Sequence, residues 1–432
     1  MAARNTSSAA CAEAADRVAK VPAMQVQIEA RMADVQNRLS SQASASGVAV
    51  AGDAVMVEVR ENSRNIMVLS NFRSVLPSQW VVHFWHGPTN SEAVRAAPRM
   101  ASAIATGSLI LRQVTVNGVP ATAASFTLSN YQKLLSSVDF WSSFSRQHLL
   151  LFEADSVLCP SPSVPLSAFA NTSFVGAPWS QSKQVRWAEL ERAFPPPQWC
   201  FNLQRCVGNS GLSLWRRDII EQVLSRYSRA ELTDAVLDYL EQPNCLHKRS
   251  ECSRPKRGPY WGTPPAARNR MPLYGRQNGS LETGTTLDVW MTRILQAAYA
   301  GHLATSRGAG AHELLAARVV RAVPSEDEAA LFSVETSYSG SYTPIGAHKP
   351  WHYLSVKRFD QLAHRCAPIV ELHAATIRDA GGPKSKTREA GGLTRARSER
   401  DRRDDPLTHC ALNVSVLVER DSSGRRRLRL AQ

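Results

Sequence analysis

Apolar residues along this chain fall into short runs separated by stretches of helical spacing. Val55, Val57 and Val59 alternate with Met56, Glu58 and Arg60, which predicts a strand over Ala54–Arg60. A helix over Asn65–Leu76 follows, then a strand over Gln79–Trp85 that ends in His86-Gly87-Pro88. Ser91–Thr106 is helical and irregular at Pro98, because proline removes an amide donor and clashes with the preceding turn. Leu109–Val114 is a strand, and Thr127–Phe144 is helical with Leu128, Leu134, Leu135 and Val138 on or near one face. His148–Phe152 is a run of apolar side chains, the mark of a strand buried on both faces. The order β-α-β-α-β-α-β predicts an α/β fold, a mostly parallel sheet covered by helices. Ligands of such sheets bind beyond the carboxyl ends of the strands.

The rest of the chain is less regular. Phe174–Pro178 reads as a short strand, Cys206–Leu214 as a glycine turn entering an apolar strand, and Ala329–Val334 as a strand. Arg216–Arg226, Ala230–Leu240 and Leu287–Tyr299 read as helices. Met24, Ile28, Met32, Val35 and Leu39 give Met24–Leu39 a short amphipathic helix outside the main fold, and Ser40–Gly52 is a Ser/Ala/Gly linker. Apolar periodicity is lost after about Cys366, and Ala380–Asp405 is charged and Gly-rich enough to be disordered. The expected organisation is an extension and linker over 1–53, one domain over 54–365 with a polar insert at about 241–285, and a basic, largely disordered tail over 366–432.

Charge and cysteine content narrow the classes. The formal net charge is +14, with much of the excess in Lys248–Arg270 and Lys384–Arg429. No aromatic-interleaved basic stripe accompanies it, so no specific nucleic-acid partner is expected. No run approaches the roughly 18 apolar residues of a membrane span. Met1–Lys20 lacks the apolar core of a secretory signal, which points to the cytoplasm. None of the eight cysteines forms a Cys-x-x-Cys pair, which argues against zinc. Cys200/Cys206 and Cys245/Cys252 are spaced to bridge in an oxidising compartment, but free thiols are the favoured state for a chain of this size.

The main candidate chemistry lies at the end of the His148–Phe152 strand, where Glu153 and Asp155 are spaced i, i+2. Residues two apart on a strand share a face, and two buried carboxylates side by side need a positive partner. A divalent cation, Mn²⁺ or Mg²⁺, suits hard oxygen ligands. The plain alternative is an acidic, solvated exit from the strand.

Several blocks occur in an order similar to that of the DUF5672 family. They are Val57–Arg60, His83–Asn90, Tyr131–Leu135 with Phe140-Trp141, Leu151–Ser156, Val175–Trp179, Val207–Gly211, Leu287–Trp290, Phe332–Thr336 and Pro344–Trp351. That family resembles nucleotide-sugar-dependent glycosyltransferases of the GT-A fold, a Rossmann-type sandwich. The resemblance implies transfer of a sugar from a nucleotide diphosphate donor to an acceptor hydroxyl on a glycan, protein or small molecule. It places Glu153, Asp155 and the late histidine His348 at a metal, with Asp155 the direct ligand and Glu153 nearer the sugar or ribose. Glu58, Arg60, His86, Gly87 and Lys349 fall on the donor side. Trp179, Gly208, Asn209 and Gly211 fall on the acceptor side, and Asp288 is the base that takes the hydroxyl proton.

Each residue also has a plainer role: an ion pair for Glu58 and Arg60, a packed ring for His348, a surface lysine for Lys349, a hairpin turn for Gly208–Gly211 and a helix cap for Asp288. The family reads Glu-Asp where this chain has Leu287-Asp288, and commonly Gly-Asn-Gly-Gly where it has Ser210. These departures favour the alternative, a non-catalytic nucleotide- or carbohydrate-binding protein on the same fold. By analogy with its family, the protein would work in the Golgi or elsewhere on the secretory route.

Overall fold

The computed structural model describes residues 3–46, 50–178, 207–226, 324–379, 416–420 and 426–430. The chain divides into two compact units, Arg31–Ala380 and Met1–Ala30 with Gly381–Gln432. In the second of these, the strands Val416–Arg420 and Arg426–Leu430 pair antiparallel, so a hairpin stands in the tail expected to be disordered.

The larger unit is built on a mixed sheet whose first half is the predicted βαβ pattern. Helix α1 (Ala3–Ser46) leads to β1 (Gly52–Glu58), α2 (Arg64–Val75) and β2 (Val81–His86). Helices α3 (Asn90–Ala96) and α4 (Pro98–Ala105) break at Ala97, just before Pro98, and are followed by β3 (Leu109–Gln113). A two-rung hairpin of β4 (Thr115–Val116) and β5 (Val119–Pro120) comes next. The helix predicted over Thr127–Phe144 is two helices, α5 (Leu128–Leu135) and α6 (Val138–Ser142). Thr127 caps the first with its hydroxyl accepting from the Asn130 amide, and the buried Trp141 indole donates to the Leu135 carbonyl at 2.7 Å, fixing the bend.

Strand β6 (His148–Phe152) pairs parallel with β1, and β1 with β2 and β2 with β3. After β7 (Ser156–Leu158) come β8 (Phe174–Pro178), β9 (Val207–Arg216) and α7 (Arg217–Arg226). The six-stranded order is β3-β2-β1-β6-β9-β8, with β9 antiparallel to both neighbours. The order reverses between β1 and β6, where doubly wound sheets open a crevice at their carboxyl ends. Phe72 of α2 stacks on Phe152 of β6 with ring centroids 3.6 Å apart, while Trp215 of β9 packs on Phe174 at 4.3 Å and on Trp141 at 5.7 Å. The β6 run is buried at every position, as a strand packed on both faces must be.

A second, three-stranded sheet carries the late segments. Helix α8 (Glu326–Phe332) leads into β10 (Ser333–Val334), and β11 (Gly346–His348) sits between β10 and β7. The strand expected over Ala329–Val334 is therefore helical for most of its length. Ser325 accepts from the Glu328 amide while the Glu328 carboxylate accepts from the Ser325 amide, a capping box that nucleates α8. Glu328 is also held by Arg38 of α1 at 2.7 Å, and Met32, Val35 and Leu39 of α1 are buried. The part of α1 after Arg31 thus belongs to the main fold, and it runs on to Ser46 through much of the stretch expected to be a linker.

Helices α9 (Val356–Arg365) and α10 (Pro368–Asp379) close the unit, α10 burying Ile369, Leu372 and Ala375. Apolar periodicity therefore continues past Cys366. A disulfide joins Cys159, just after β7, to Cys366 between α9 and α10. It replaces the expected free thiols at these two positions; the other paired candidates, Cys200/Cys206 and Cys245/Cys252, lie outside the described residues. So do the insert at 241–285, the helices expected over Ala230–Leu240 and Leu287–Tyr299, and Ala380–Asp405.

At the amino end of β1, buried Asp53 accepts from His83 Nε2 at 3.0 Å, from the Arg146 amide at 3.1 Å and from Arg146 Nη1 at 3.1 Å. Burial pushes its carboxyl up, but these donors outweigh burial and hold it below the ordinary 3.8. Its stabilising contribution is therefore complete above the ordinary carboxylate range and is lost as pH falls through the lower folded value. Asp53→Ala should cost about 3–5 kcal/mol in urea denaturation at neutral pH, with the deficit shrinking in strong acid. An unchanged midpoint would show that the cluster is neutral to stability. Cys159→Ser should cost about 2–5 kcal/mol, and non-reducing peptide mapping should recover the Cys159–Cys366 pair from the native protein.

Candidate metal centre

Glu153 and Asp155 lie just past the carboxyl end of β6, in the turn that reverses into β7. The Ser156 amide donates to the Glu153 carbonyl at 3.0 Å, and the Glu153 amide donates to the Gly211 carbonyl of β9 at 2.9 Å. The two acids face one site because of this turn, and not because of strand alternation. The Ser156 hydroxyl donates to the same Gly211 carbonyl at 2.6 Å. Antiparallel pairing of β11 with β7 sets His348 opposite Ser156, which delivers the imidazole to the acids from a segment almost two hundred residues away.

His348 Nε2 stands 3.1 Å from Glu153 Oε2 and 3.1 Å from Asp155 Oδ1. Its Nδ1 stands 3.0 Å from Asn209 Oδ1 and 3.6 Å from Glu335 Oε1. The imidazole is buried, whereas the carboxylates are partly open, Glu153 at 37% and Asp155 at 22% exposure, so the centre is reached from the acid side. Burial opposes a charge on His348, but Asp155 and Glu153 outweigh it and push its pKa up to about 10. Burial likewise raises both carboxyls, yet His348 and Lys349 bring Glu153 and Asp155 below their ordinary values. Without a metal the imidazolium acts as the cation between two carboxylates.

One ligand atom from each of Glu153, Asp155 and His348 can be chosen so that all lie within 4.8 Å of one another. Asp155 Oδ1 is buried, and its polar partner among the described residues is His348 Nε2. Two carboxylates and one imidazole make a donor set suited to Mn²⁺ or Mg²⁺, and three protein ligands leave positions for oxygens of a bound molecule. The residues present fit such an ion, which would neutralise a phosphate leaving group.

The other sequence candidates fall into five groups. Around the acids, the Lys349 amide donates to the Asp155 carbonyl at 2.9 Å, with Lys349 in the left-handed region at φ 32°. Burial lowers the Lys349 ammonium, but Glu153, Asp155 and Glu335 outweigh it and keep it charged. At the end of β1, Arg60 is paired to Glu58, its Nη2 2.6 Å from Oε2 and its Nε 2.9 Å from Oε1. That is the ion pair of the plainer reading, although Arg60 also feels the charges of Asp155 and Glu153.

At the end of β2, His86 is buried, its Nδ1–H donating to the Gly87 carbonyl at 2.7 Å, and burial lowers its pKa. A Cβ on Gly87 would meet the Val59 and Ala121 carbonyls at 2.8 and 2.9 Å, so the glycine lets neighbouring backbone approach on that side. Gly208, Asn209 and Gly211 lie within strand β9 and not in a hairpin turn, at the place where its pairing with β8 shifts register. Trp179, Leu287 and Asp288 lie outside the described residues. Sequence reasoning gave no role to Glu335, whose carboxylate faces the back of His348. Its signal is an acid closing the short apolar run Leu331–Val334.

A sheet with its order reversal between β1 and β6 defines an α/β protein of Rossmann type, and the carboxylate–histidine cluster at the carboxyl ends beside the reversal has a donor set that could hold a cation. Residues 113–295 match the family model described as "Protein of unknown function (DUF5672)", the family indicated by the motif blocks. The match takes in Glu153, Asp155, Asn209 and Gly211 and stops short of Glu335 and His348. No curated protein matches the sequence.

Among solved structures, the chain is similar to glucosyl-3-phosphoglycerate synthase from Mycobacterium tuberculosis in complex with Mn²⁺, UDP and glucosyl-3-phosphoglycerate. That likeness has 13% identity and TM-score 0.27, over 47% of this chain and 70% of that one. It is also similar to a mannosyltransferase from Pyrobaculum calidifontis in complex with GDP-Man and Mn²⁺, at 12% identity and TM-score 0.26, over 68% of this chain and 90% of that one.

Mn²⁺ titrated into the protein should bind at one site, followed by calorimetry or by loss of the free-ion paramagnetic signal. Asp155→Ala and His348→Ala should each weaken that binding at least about 100-fold, since each removes a ligand and not merely its support. Equal affinity in all three proteins would remove the centre from this location.

Proposed function

We propose that the protein is a metal-assisted glycosyltransferase that uses a nucleotide diphosphate sugar as donor. The observation that carries this reading is the meeting of Glu153, Asp155 and His348 at the carboxyl edge of the sheet, next to its order reversal. A diphosphate leaving group needs positive charge as its bond to the anomeric carbon breaks. Glu153, Asp155 and His348 would hold the ion that supplies it, and the charged Lys349 beside them would add to the field.

Glu58, Arg60 and His86 end β1 and β2 on the side where a nucleotide would lie. Arg60 is the exposed member of its ion pair, so its guanidinium can also meet a ligand oxygen. The acceptor oxygen would attack the anomeric carbon as the carbon–diphosphate bond breaks, its proton passing to Asp288, and Trp179 would offer an aromatic face to a sugar ring. A non-catalytic sugar- or nucleotide-binding protein is the second reading, favoured by Leu287 where the family carries an acid.

The Cys159–Cys366 disulfide bears on the compartment. Structural disulfides form and persist in oxidising surroundings, so its presence supports the secretory route over the cytoplasm.

A panel of nucleotide diphosphate sugars should reveal Mn²⁺-dependent release of nucleoside diphosphate for at least one donor. Asp155→Ala should reduce kcat/KM at least about 100-fold, equivalent to ~3 kcal/mol of transition-state stabilisation. Nucleotide binding with no turnover across the panel would favour the binding-protein reading.

A further inference from the structure

We propose that Asn209 and Glu335 are positioning residues that lock the His348 ring, with Nδ1 as donor and Nε2 turned to Glu153 and Asp155. This rests on the metal-centre reading and moves Asn209 and Gly211 from the acceptor side to the metal side.

The orientation of Asn209 follows from its neighbour. The Gly211 amide donates to Asn209 Oδ1 at 2.9 Å, which makes that atom an acceptor. The same oxygen is 3.0 Å from His348 Nδ1, so Nδ1 must carry the proton of that contact. In a neutral imidazole the lone pair is then on Nε2, the atom 3.1 Å from each carboxylate. Glu335 Oε1 adds negative charge on the Nδ1 side at 3.6 Å, from a side chain only 2% exposed.

Gly211 completes the seat. A Cβ there would lie 2.2–2.4 Å from three atoms of the imidazole, so no side chain fits beneath the ring. The Gly211 carbonyl accepts from the Glu153 amide and the Ser156 hydroxyl. One residue of β9 therefore touches the acid turn through its carbonyl, Asn209 through its amide and His348 through its bare Cα. Partners of this kind fix the tautomer and direction of a ligating histidine.

The test is Mn²⁺ affinity of the full-length chain by calorimetry, with ¹⁵N-histidine NMR of the Mg²⁺-loaded protein as a readout of tautomer. Asn209→Ala should weaken Mn²⁺ binding about 10- to 100-fold and Glu335→Gln about 10-fold, while Asn209→Asp, which keeps an acceptor, should stay within about threefold of wild type. Melting temperatures in chelator separate this from loss of fold. In the wild type the His348 signals should report a protonated Nδ1, and Asn209→Ala should shift them where Asn209→Asp does not. Wild-type affinity in Asn209→Ala, with Asp155→Ala still defective, would overturn the positioning role and leave the metal centre standing. Absence of Mn²⁺ binding by the wild type would overturn both.

Discussion

Two carboxylates at the end of a buried strand cannot stay charged beside each other without a cation. In this protein the cation is the His348 imidazolium, in contact with both Glu153 and Asp155. The contact ties two sheets together. The acids belong to the turn that leaves β6, the histidine to β11 of the small sheet, and β7 joins one to the other. A divalent ion entering this site would replace the His348 proton rather than fill a void, so the arrangement is internally satisfied and also exchangeable.

The ends of the parallel sheet divide the polar work. At the amino end of β1, the Asp53 carboxylate is paired by His83 and Arg146 in a structural cluster. At the carboxyl end the acids are partly open, and Arg60, Arg64 and Lys349 contribute positive charge to them. Buried polar groups that are fully paired stabilise a fold, whereas a partly open, multiply charged cluster at a strand end is where ligand chemistry concentrates. The same sheet thus carries stability at the amino end of β1 and candidate function past the carboxyl end of the neighbouring β6.

Much of the sheet was legible in the sequence because its strands are short apolar runs with strong local patterns. His148–Phe152 and Phe174–Pro178 are the strands the pattern predicts. The pairing of His348 with the acids was not legible from spacing; it came from family resemblance, because no local signal reports antiparallel pairing of β11 with β7. Gly208–Gly211 read as a turn because glycine permits one, but here Gly211 serves close approach to an imidazole inside a strand. The capping box at Ser325–Glu328 was present in the sequence, and the β-favouring residues after it obscured the helix. The Cys159–Cys366 bridge spans 207 residues, a distance at which spacing says nothing about pairing.

The central claim is that Glu153, Asp155 and His348 form one cation site. Anomalous diffraction from crystals grown with Mn²⁺ and a nucleoside diphosphate tests it most directly. The account predicts a single strong manganese peak within about 2.0–2.3 Å of His348 Nε2 and an Asp155 oxygen, with diphosphate oxygens completing the shell. A peak elsewhere, with His348 still ion-paired to both acids, would contradict it.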